Sequence, residues 1–274
     1  MRVGVMWRIS PERISDDIAL LRDMGFEVCN LSISEPVIDQ LEPEKLLDIL
    51  GSKGMELQAL WCSFGSCTYD LIDGPKTVGL VPAEYRIDRL RKLKKCAEYA
   101  AKIGVTRIIT HAGFIPEIEY EDSYQGVVQV LRQAADITGG FGVKLLLETG
   151  QETPVTLLRT IQDINRKNVG VNLDTGNLII YGRGDPCGAL DTLKEYIWGV
   201  DAKDALYPES GRTIGAEVRC GEGRVRFPEL ITKLFDLKYG GDIMIEREIT
   251  GKQKLKDIIK TKIMLENIIH SGGN

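Results

Sequence analysis

Two histidines, His111 and His270, are all that 274 residues contain. That is too few for a centre in which many imidazoles hold several zinc ions. The six cysteines (Cys29, Cys62, Cys67, Cys96, Cys187 and Cys220) include no Cys-x-x-Cys pair. The two histidines cannot complete a zinc-finger pattern with them, and the expectation is reduced, mostly buried thiols. No apolar run approaches the ~18 residues of a membrane span, and no Pro/Ser-rich or low-complexity tract divides the chain. An excess of cations is missing as well. Lys and Arg number 35 against 40 Asp and Glu, a net charge of −5, which argues against nucleic acid or an anionic membrane as partner. The opening stretch MRVGVMWRIS has no signal-peptide h-region, so the expectation is a cytoplasmic protein.

What is present is ordinary for a globular enzyme: 43% hydrophobic and 27% charged residues. A chain of this length buries roughly 75% of its unfolded surface and needs no disulfide or structural metal to fold. A short β-type run followed by a helical pattern recurs along it. The runs are Val3–Trp7, Glu27–Ile33, Glu56–Cys62, Arg107–His111, Val143–Glu148, Val169–Asp174, Ile197–Asp201 and Asp242–Glu246. Several, such as RIIT, VKLLLE and DIMIE, are nearly continuous apolar stretches, which suits strands covered on both faces of a parallel sheet. Amphipathic segments lie between them: Ile14–Met24, Ala83–Ile103, Ser123–Gly139, Val155–Asn165, Pro228–Leu237 and Lys254–Ile269. Glycines at 25, 54, 104, 139 and 240 read as helix stops.

Eight strands alternating with eight helices predict an α/β fold, a single (β/α)8 TIM barrel over residues 1–274, since eight such units close at about 250 residues. The alternative, an open doubly wound sheet, announces itself by a Gly-rich phosphate loop after its first strand. Here Trp7-Arg8-Ile9-Ser10-Pro11 stands at that place. Two connections, Ser63–Pro82 and Ala205–Phe227, are unusually long, and both follow a strand, so they are expected as lids over the C-terminal face.

The late strands share one feature. Each ends in an ionisable residue: His111, Glu148, Asp174, Asp201 (followed by Asp204) and Glu246. Core packing does not ask for this, but a barrel brings these ends together on one face. Several carboxylates gathered there repel one another and acquire raised pKa values. A divalent cation resolves the repulsion, and an oxygen donor set favours Mg²⁺ or Mn²⁺.

The stretches GPKTVGLVP, ITHAGFIPE, LLLETGQE, NLDTGNLIIYGRGDP, VDAKDA, GEGRVRFPEL and MIERE, in this order at successive strand ends, carry a resemblance. The sequence resembles the xylose isomerase-like barrels, the sugar and sugar-phosphate isomerases and epimerases, over nearly its whole length. The resemblance implies a metal held by Glu148, Asp174, Asp201 and Glu246. The family's His-x-Lys-Asp reads Asp201-Ala202-Lys203-Asp204 here, so aspartate stands where histidine is usual. Asn177 stands where many relatives carry another histidine. It further implies proton transfer beside a ketose carbonyl, with Glu148 and Glu246 as the catalytic pair on opposite faces of the substrate. Return of the proton to the same carbon gives epimerisation and to its neighbour gives aldose–ketose isomerisation; 3-epimerisation is the preferred form.

The expected partner is a small sugar or sugar phosphate, with assembly as a homo-oligomer. His111, Glu152, Asn177, Lys203, Arg219, Trp7 and Trp61 are candidate substrate contacts. Glu152 could bind a hydroxyl or hold Arg219. All but Asn177 have a plainer alternative: backbone bonding for His111, a solvated helix start for Glu152, pairing with carboxylates for Lys203, packing at the mouth for the tryptophans, a solvated loop for Arg219. The N–H groups of Gly221 and Gly223 are a weak candidate for a phosphate site. Two rival readings use the same barrel: a metal-dependent dehydratase or lyase, and a sugar-binding barrel without catalysis. An abasic-site endonuclease is opposed by the scarcity of histidine and the acidic balance.

Overall fold

The run VKLLLE shows why the chain folds as it does. In the computed structural model, which describes residues 1–272, it forms the strand Lys144–Glu148. Leu145 and Leu147 pack outward into the main core, whereas Leu146 joins a small separate cluster with Ala59 and Ile109 inside the barrel. Apolar residues are needed on both faces, so the strand does not alternate. The same period-2 parity turns Glu148 inward, above Leu146.

Eight parallel strands close the barrel: β1 (Val3–Arg8), β2 (Val28–Ser34), β3 (Glu56–Ser63), β4 (Arg107–His111), β5 (Lys144–Glu148), β6 (Val169–Asp174), β7 (Ile197–Ala202) and, last in the chain, β10 (Ile243–Ile245). Each pairs with its neighbour in sequence, and β10 closes onto β1 through Val3–Ile243, Gly4–Met244 and Val5–Ile245. The predicted barrel is the observed one. Helices Ile14–Asp23, Pro43–Lys53, Arg86–Lys102, Asp122–Gly139, Pro154–Ile164, Pro186–Leu193 and Phe227–Asp236 make the crossovers, and Lys252–His270 follows the last strand. Their buried faces and the outer faces of the strands form the main core. Among the described residues no helix is long and apolar enough to cross a membrane.

Two local expectations need correction. Gly25, Gly54 and Gly104 do take left-handed conformations at helix ends, but Gly139 and Gly240 do not. Gly142 and Lys238 make those turns instead. The connection Ala205–Phe227 is not irregular throughout. It contains a two-stranded antiparallel ribbon of β8 (Asp204–Leu206) and β9 (Ala216–Val218).

This connection is organised by a buried carboxylate. Asp204 Oδ2 accepts from the N–H groups of Gly221 and Gly223, each at 2.9 Å, and its Oδ1 accepts from Val225 N at 2.9 Å. A Cβ on Gly223 would stand 2.1 Å from Asp204 Oδ1, so the close approach needs glycine. The two N–H groups weighed as a phosphate cradle are therefore already used by the chain itself.

Replacing Asp204 by Ala should cost roughly 4–5 kcal/mol in urea unfolding, because the N–H groups of Gly221, Gly223, Val225 and also Ala205, which donates to Oδ1 at 2.8 Å, lose their acceptor at about 1 kcal/mol or more each. Asp204→Asn, which keeps one carbonyl oxygen, should lose about half of that. An unchanged unfolding midpoint for Asp204→Ala would remove this residue from its organising role.

Candidate active site

Parity sets the content of the barrel's upper interior. Residues two apart along β3, β4, β5, β6 and β7 face the same way, so Trp61, His111, Glu148, Asp174 and the pair Asp201 and Lys203 all turn inward. Glu246 follows β10 and keeps the ladder, its N–H donating to Ala202 O at 3.1 Å.

Two Thr-Gly steps hold the strand ends in register. Thr149 Oγ1 donates to Asp174 O and accepts from Asp174 N, both at 3.0 Å. Thr175 Oγ1 donates to Lys203 O at 2.6 Å and accepts from Lys203 N at 3.2 Å. Each hydroxyl thus staples its own strand end to the next strand. Gly176 completes the second step, since a Cβ there would lie 2.4 Å from Lys203 Cγ.

Glu148, Asp174 and Glu246 each bring one carboxylate oxygen within 4.8 Å of the other two. Glu148 is held by Trp61, whose indole N–H donates to Oε2, and by Asn177 Nδ2, which donates to Oε1 at 3.1 Å. Asp174 Oδ1 caps the short helix Thr175–Ile180 by accepting from Asn177 N at 2.8 Å. That leaves Asp174 Oδ2 and Glu246 Oε2 facing the shared space without an aligned donor. Lys203 Nζ stands 3.2 Å from the first and 2.9 Å from the second, with Glu248 Oε1 at 3.4 Å. The ammonium is close enough to attract both oxygens but lies off their bonding directions. It also approaches Asn177 Oδ1 at 3.3 Å.

The charges follow from burial. Desolvation, reinforced by Glu246 and Asp174, pushes Glu148 well above the usual carboxylate range. Desolvation likewise raises Asp174 strongly, against the attraction of Lys203. Glu246 is desolvated too, but Lys203 outweighs this and holds it below the usual value. Lys203 is fully charged: its burial penalty is exceeded by attraction to Asp174, Glu246 and Glu248. Burial, followed by repulsion from Lys203, lowers His111 to about 4, so its imidazole is neutral. His111 Nε2 lies 3.7 Å from Glu148 Oε1, and the ring stands edge-on to Trp61 at 5.5 Å.

Above the cluster opens a cavity of about 400 Å³. It is lined by Trp61, Tyr69, His111, Glu148 and Glu246 together with Arg8, Ser32, Arg247, Glu248, Thr250 and Lys254. The structure brings Glu148, Asp174, Glu246, His111, Asn177, Lys203 and Trp61 together. It does not bring Asp201 into the three-carboxylate group. Asp201 points one layer lower, where its Oδ2 accepts from Asn172 Nδ2 at 2.6 Å, and burial raises its pKa to about 8. Lys203 takes the carboxylate-pairing alternative.

Asn177 and Lys203 belong to the cluster without lining the cavity, and three further candidates lie away from both. Trp7 sits beneath Lys254, whose Nζ is 4.5 Å from the ring centroid. Arg219 is occupied by Glu222 at 2.7 Å and Cys220 O at 3.3 Å, so it does not pair with Glu152. Glu152 is buried with neither oxygen hydrogen-bonded. The sequence reading missed Tyr69, Arg8 and Lys254. Arg8 carries the same signal as the late strands, an ionisable residue closing an apolar run.

The donor set fits a hard divalent ion. Three carboxylates from three strands converge, two of their oxygens lack an aligned donor, and no thiol or imidazole belongs to the group.

A family profile described as "Xylose isomerase-like TIM barrel" matches residues 18–266. The uncharacterized protein MJ1311 of Methanocaldococcus jannaschii is 26% identical over 196 residues. That alignment covers 66% of this chain and 66% of the relative, just under two thirds of its length. The crystal structure of a xylose isomerase domain protein from Planctomyces limnophilus superposes with a TM-score of 0.90 at 28% identity, covering 98% of this chain and 97% of that one. A D-tagatose 3-epimerase-like protein gives a TM-score of 0.77 at 20% identity, covering 99% and 98%, a likeness in fold.

Burial raises the Glu152 carboxyl to about 8. Its folded pKa thus lies above the unfolded value, so it favours folding below pH 4.5, and this is lost as pH rises through 8. Relative to Glu152→Gln, the natural protein should lose about 4 kcal/mol of stability between pH 5 and pH 8 in urea unfolding. Parallel pH profiles for the two would show that Glu152 is not buried as a neutral acid.

Proposed function

The chain belongs to the xylose isomerase-like TIM barrel family, and on that premise we propose that it is a metal-assisted sugar isomerase, most specifically a ketose 3-epimerase. One observation carries the reading: Glu148, Asp174 and Glu246 converge from three strands at the floor of a cavity of about 400 Å³. The fold-level likeness to the D-tagatose 3-epimerase-like protein supports the 3-epimerase form.

Glu148, Asp174 and Glu246 would hold the ion, with Mn²⁺ or Mg²⁺ favoured by their oxygens. When bound, a divalent ion supplies Lewis-acid polarisation of the substrate carbonyl. The rest is done by side chains. Glu246, kept ionised beside Lys203, takes the proton from the carbon next to the ketone, and the released electron pair moves onto the carbonyl oxygen. Glu148, fixed by Trp61 and Asn177, delivers a proton to the opposite face of that carbon. One proton leaves and one arrives, so the atoms balance and the configuration is inverted. Neutral His111 can donate or accept at a substrate hydroxyl, and its buried Nδ1 has no partner within the protein. Trp61 presents an aromatic surface to the sugar's C–H face.

A second reading, sugar binding without proton transfer, draws on Lys203. Its ammonium already offsets part of the carboxylate charge, and Asp201 sits outside the group.

Incubation with a ketose panel in D₂O and Mn²⁺ should place deuterium on the carbon beside the ketone and yield an epimer. Glu246→Gln and Glu148→Gln should each slow this about a thousandfold with unchanged circular dichroism. Binding without deuterium uptake across the panel would favour the second reading, and loss of water without an epimer would favour a dehydratase. The raised pKa values of Glu148 and Asp174 give a separate test. At pH 7 in weak buffer, Mn²⁺ binding should release at least about one proton per ion, and Asp174→Asn should reduce both affinity and release. Failure to bind or to release protons would remove the metal from the proposal.

A further inference from the structure

The cavity has a second chemical character beside the acidic cluster. Arg8, at the end of β1, and Lys254, in the first turn of the helix Lys252–His270, both line it. Among the described residues neither makes a hydrogen bond or ion pair. Other arginines of this chain are matched, Arg91 with Glu35 and Arg166 with Asp136 among them. The carboxylates near Lys254 are matched too. Glu217 faces Arg247 at 3.0 Å, and Glu246 and Glu248 face Lys203 at 2.9 and 3.4 Å.

Placing Lys254 here is costly. Burial, and then repulsion from Arg8, lower the Lys254 ammonium from its ordinary value, against the pull of Glu246, Glu217 and Glu248. The helix beginning at Lys252 adds a further cost. Gly251 provides no side-chain cap, the first turn holds no acidic residue, and Lys252 and Lys254 stand at the helix's positive end. The hydroxyls of Ser32 and Thr250 line the same cavity and also lack partners within the described residues. Arg8 lies in register with Ser32 on the adjoining strand. Two cations and two hydroxyl donors therefore face one space with no side-chain hydrogen bond or ion pair among the described residues, Lys254 resting only on the Trp7 ring.

Resting on the reading of the acidic cluster as a ketose site, we propose that this part of the cavity receives an oxyanionic end of the substrate, a phosphate or a carboxylate, between Arg8 and Lys254. Ser32 and Thr250 complete the donor set. The reacting carbons then lie over Glu148 and Glu246, and the charged end is held toward the rim. Trp7, stacked beneath Lys254, keeps the ammonium in place.

The test uses ligands with no ketone, so it does not depend on proton transfer. A hexitol phosphate, a hexonate and the neutral hexitol are titrated into the full chain by calorimetry and by tryptophan fluorescence, with Trp7→Phe assigning the signal. One of the two anions should bind at least tenfold more tightly than the neutral hexitol, and which one does identifies the group. Arg8→Gln and Lys254→Met should each erase most of that advantage, as should about 0.5 M salt. Lys254→Gln serves as a second variant should Lys254→Met perturb folding. Equal binding of all three ligands, no binding of either anion at millimolar concentration, or an anion preference that survives in the double variant overturns the proposal. Anion binding lost in the variants, together with no deuterium exchange on any ketose, would keep this site and remove the ketose reading.

Discussion

Buried negative charge at the mouth of the barrel is the constraint on which the rest of the structure turns. Glu148, Asp174, Asp201 and Glu246 are all withdrawn from solvent around a single buried ammonium, Lys203. Four ionised carboxylates cannot coexist there, since desolvation and mutual repulsion both oppose them. The chain settles the conflict in two ways. Glu246 stays ionised against Lys203, and the other three are driven toward their protonated forms. A site in that condition is poised to exchange protons for a cation, because a stronger positive charge than one ammonium is what the oxygens lack.

Such a cluster needs rigid support, and the sequence supplies it with small residues rather than large ones. The Thr-Gly pairs after Glu148 and Asp174 let one hydroxyl bridge each strand end to the next, and Gly176 opens the space that Lys203 fills. Asp204 does the same for the following connection by gathering four backbone donors. Stretches that read as functional motifs are thus partly architectural. ETG and DTG hold the clustered carboxylates in register, and the second aspartate of DAKD ties down the loop beyond them.

The fold was legible because apolar runs and helical patterns alternate eight times, and the site because ionisable residues cap those runs. Period-2 parity carries Glu148, Asp174 and Glu246 inward, and parity is visible in sequence. Depth is not. Asp201 has the right parity, yet its short side chain finds Asn172 beneath it, and only the packed interior shows this. Arg219 was misplaced for a related reason: a loop arginine's target depends on the nearest carboxylate in space, here Glu222 on the same turn. Arg8 obeys the strand-end rule, but it is a lone cation on the first strand and shares no charge sign with the acidic ends of the late ones. Lys254 falls outside that rule, because it precedes no strand and belongs to a helix whose start is decided by a glycine with φ 78°.

The two halves of the cavity make sense together. An acidic floor alone would repel any anionic sugar derivative, and a basic rim alone would hold it without chemistry. Placed across about 400 Å³, the two form a dipole that orients a ligand with one charged end before any specific hydrogen bond forms, since opposite potentials within a low-dielectric cleft act over its whole length. Orientation matters more here than affinity. On the proposed reading, proton transfer between two faces of one carbon requires that carbon to lie between Glu148 and Glu246, and a ligand free to slide along the cleft would present its carbons indifferently. A fixed charge at the far end sets the register of the sugar chain as a threonine staple sets the register of a strand. On this view the unmatched pair Arg8 and Lys254 costs the empty protein some stability and returns it as positional selectivity when the cleft is filled.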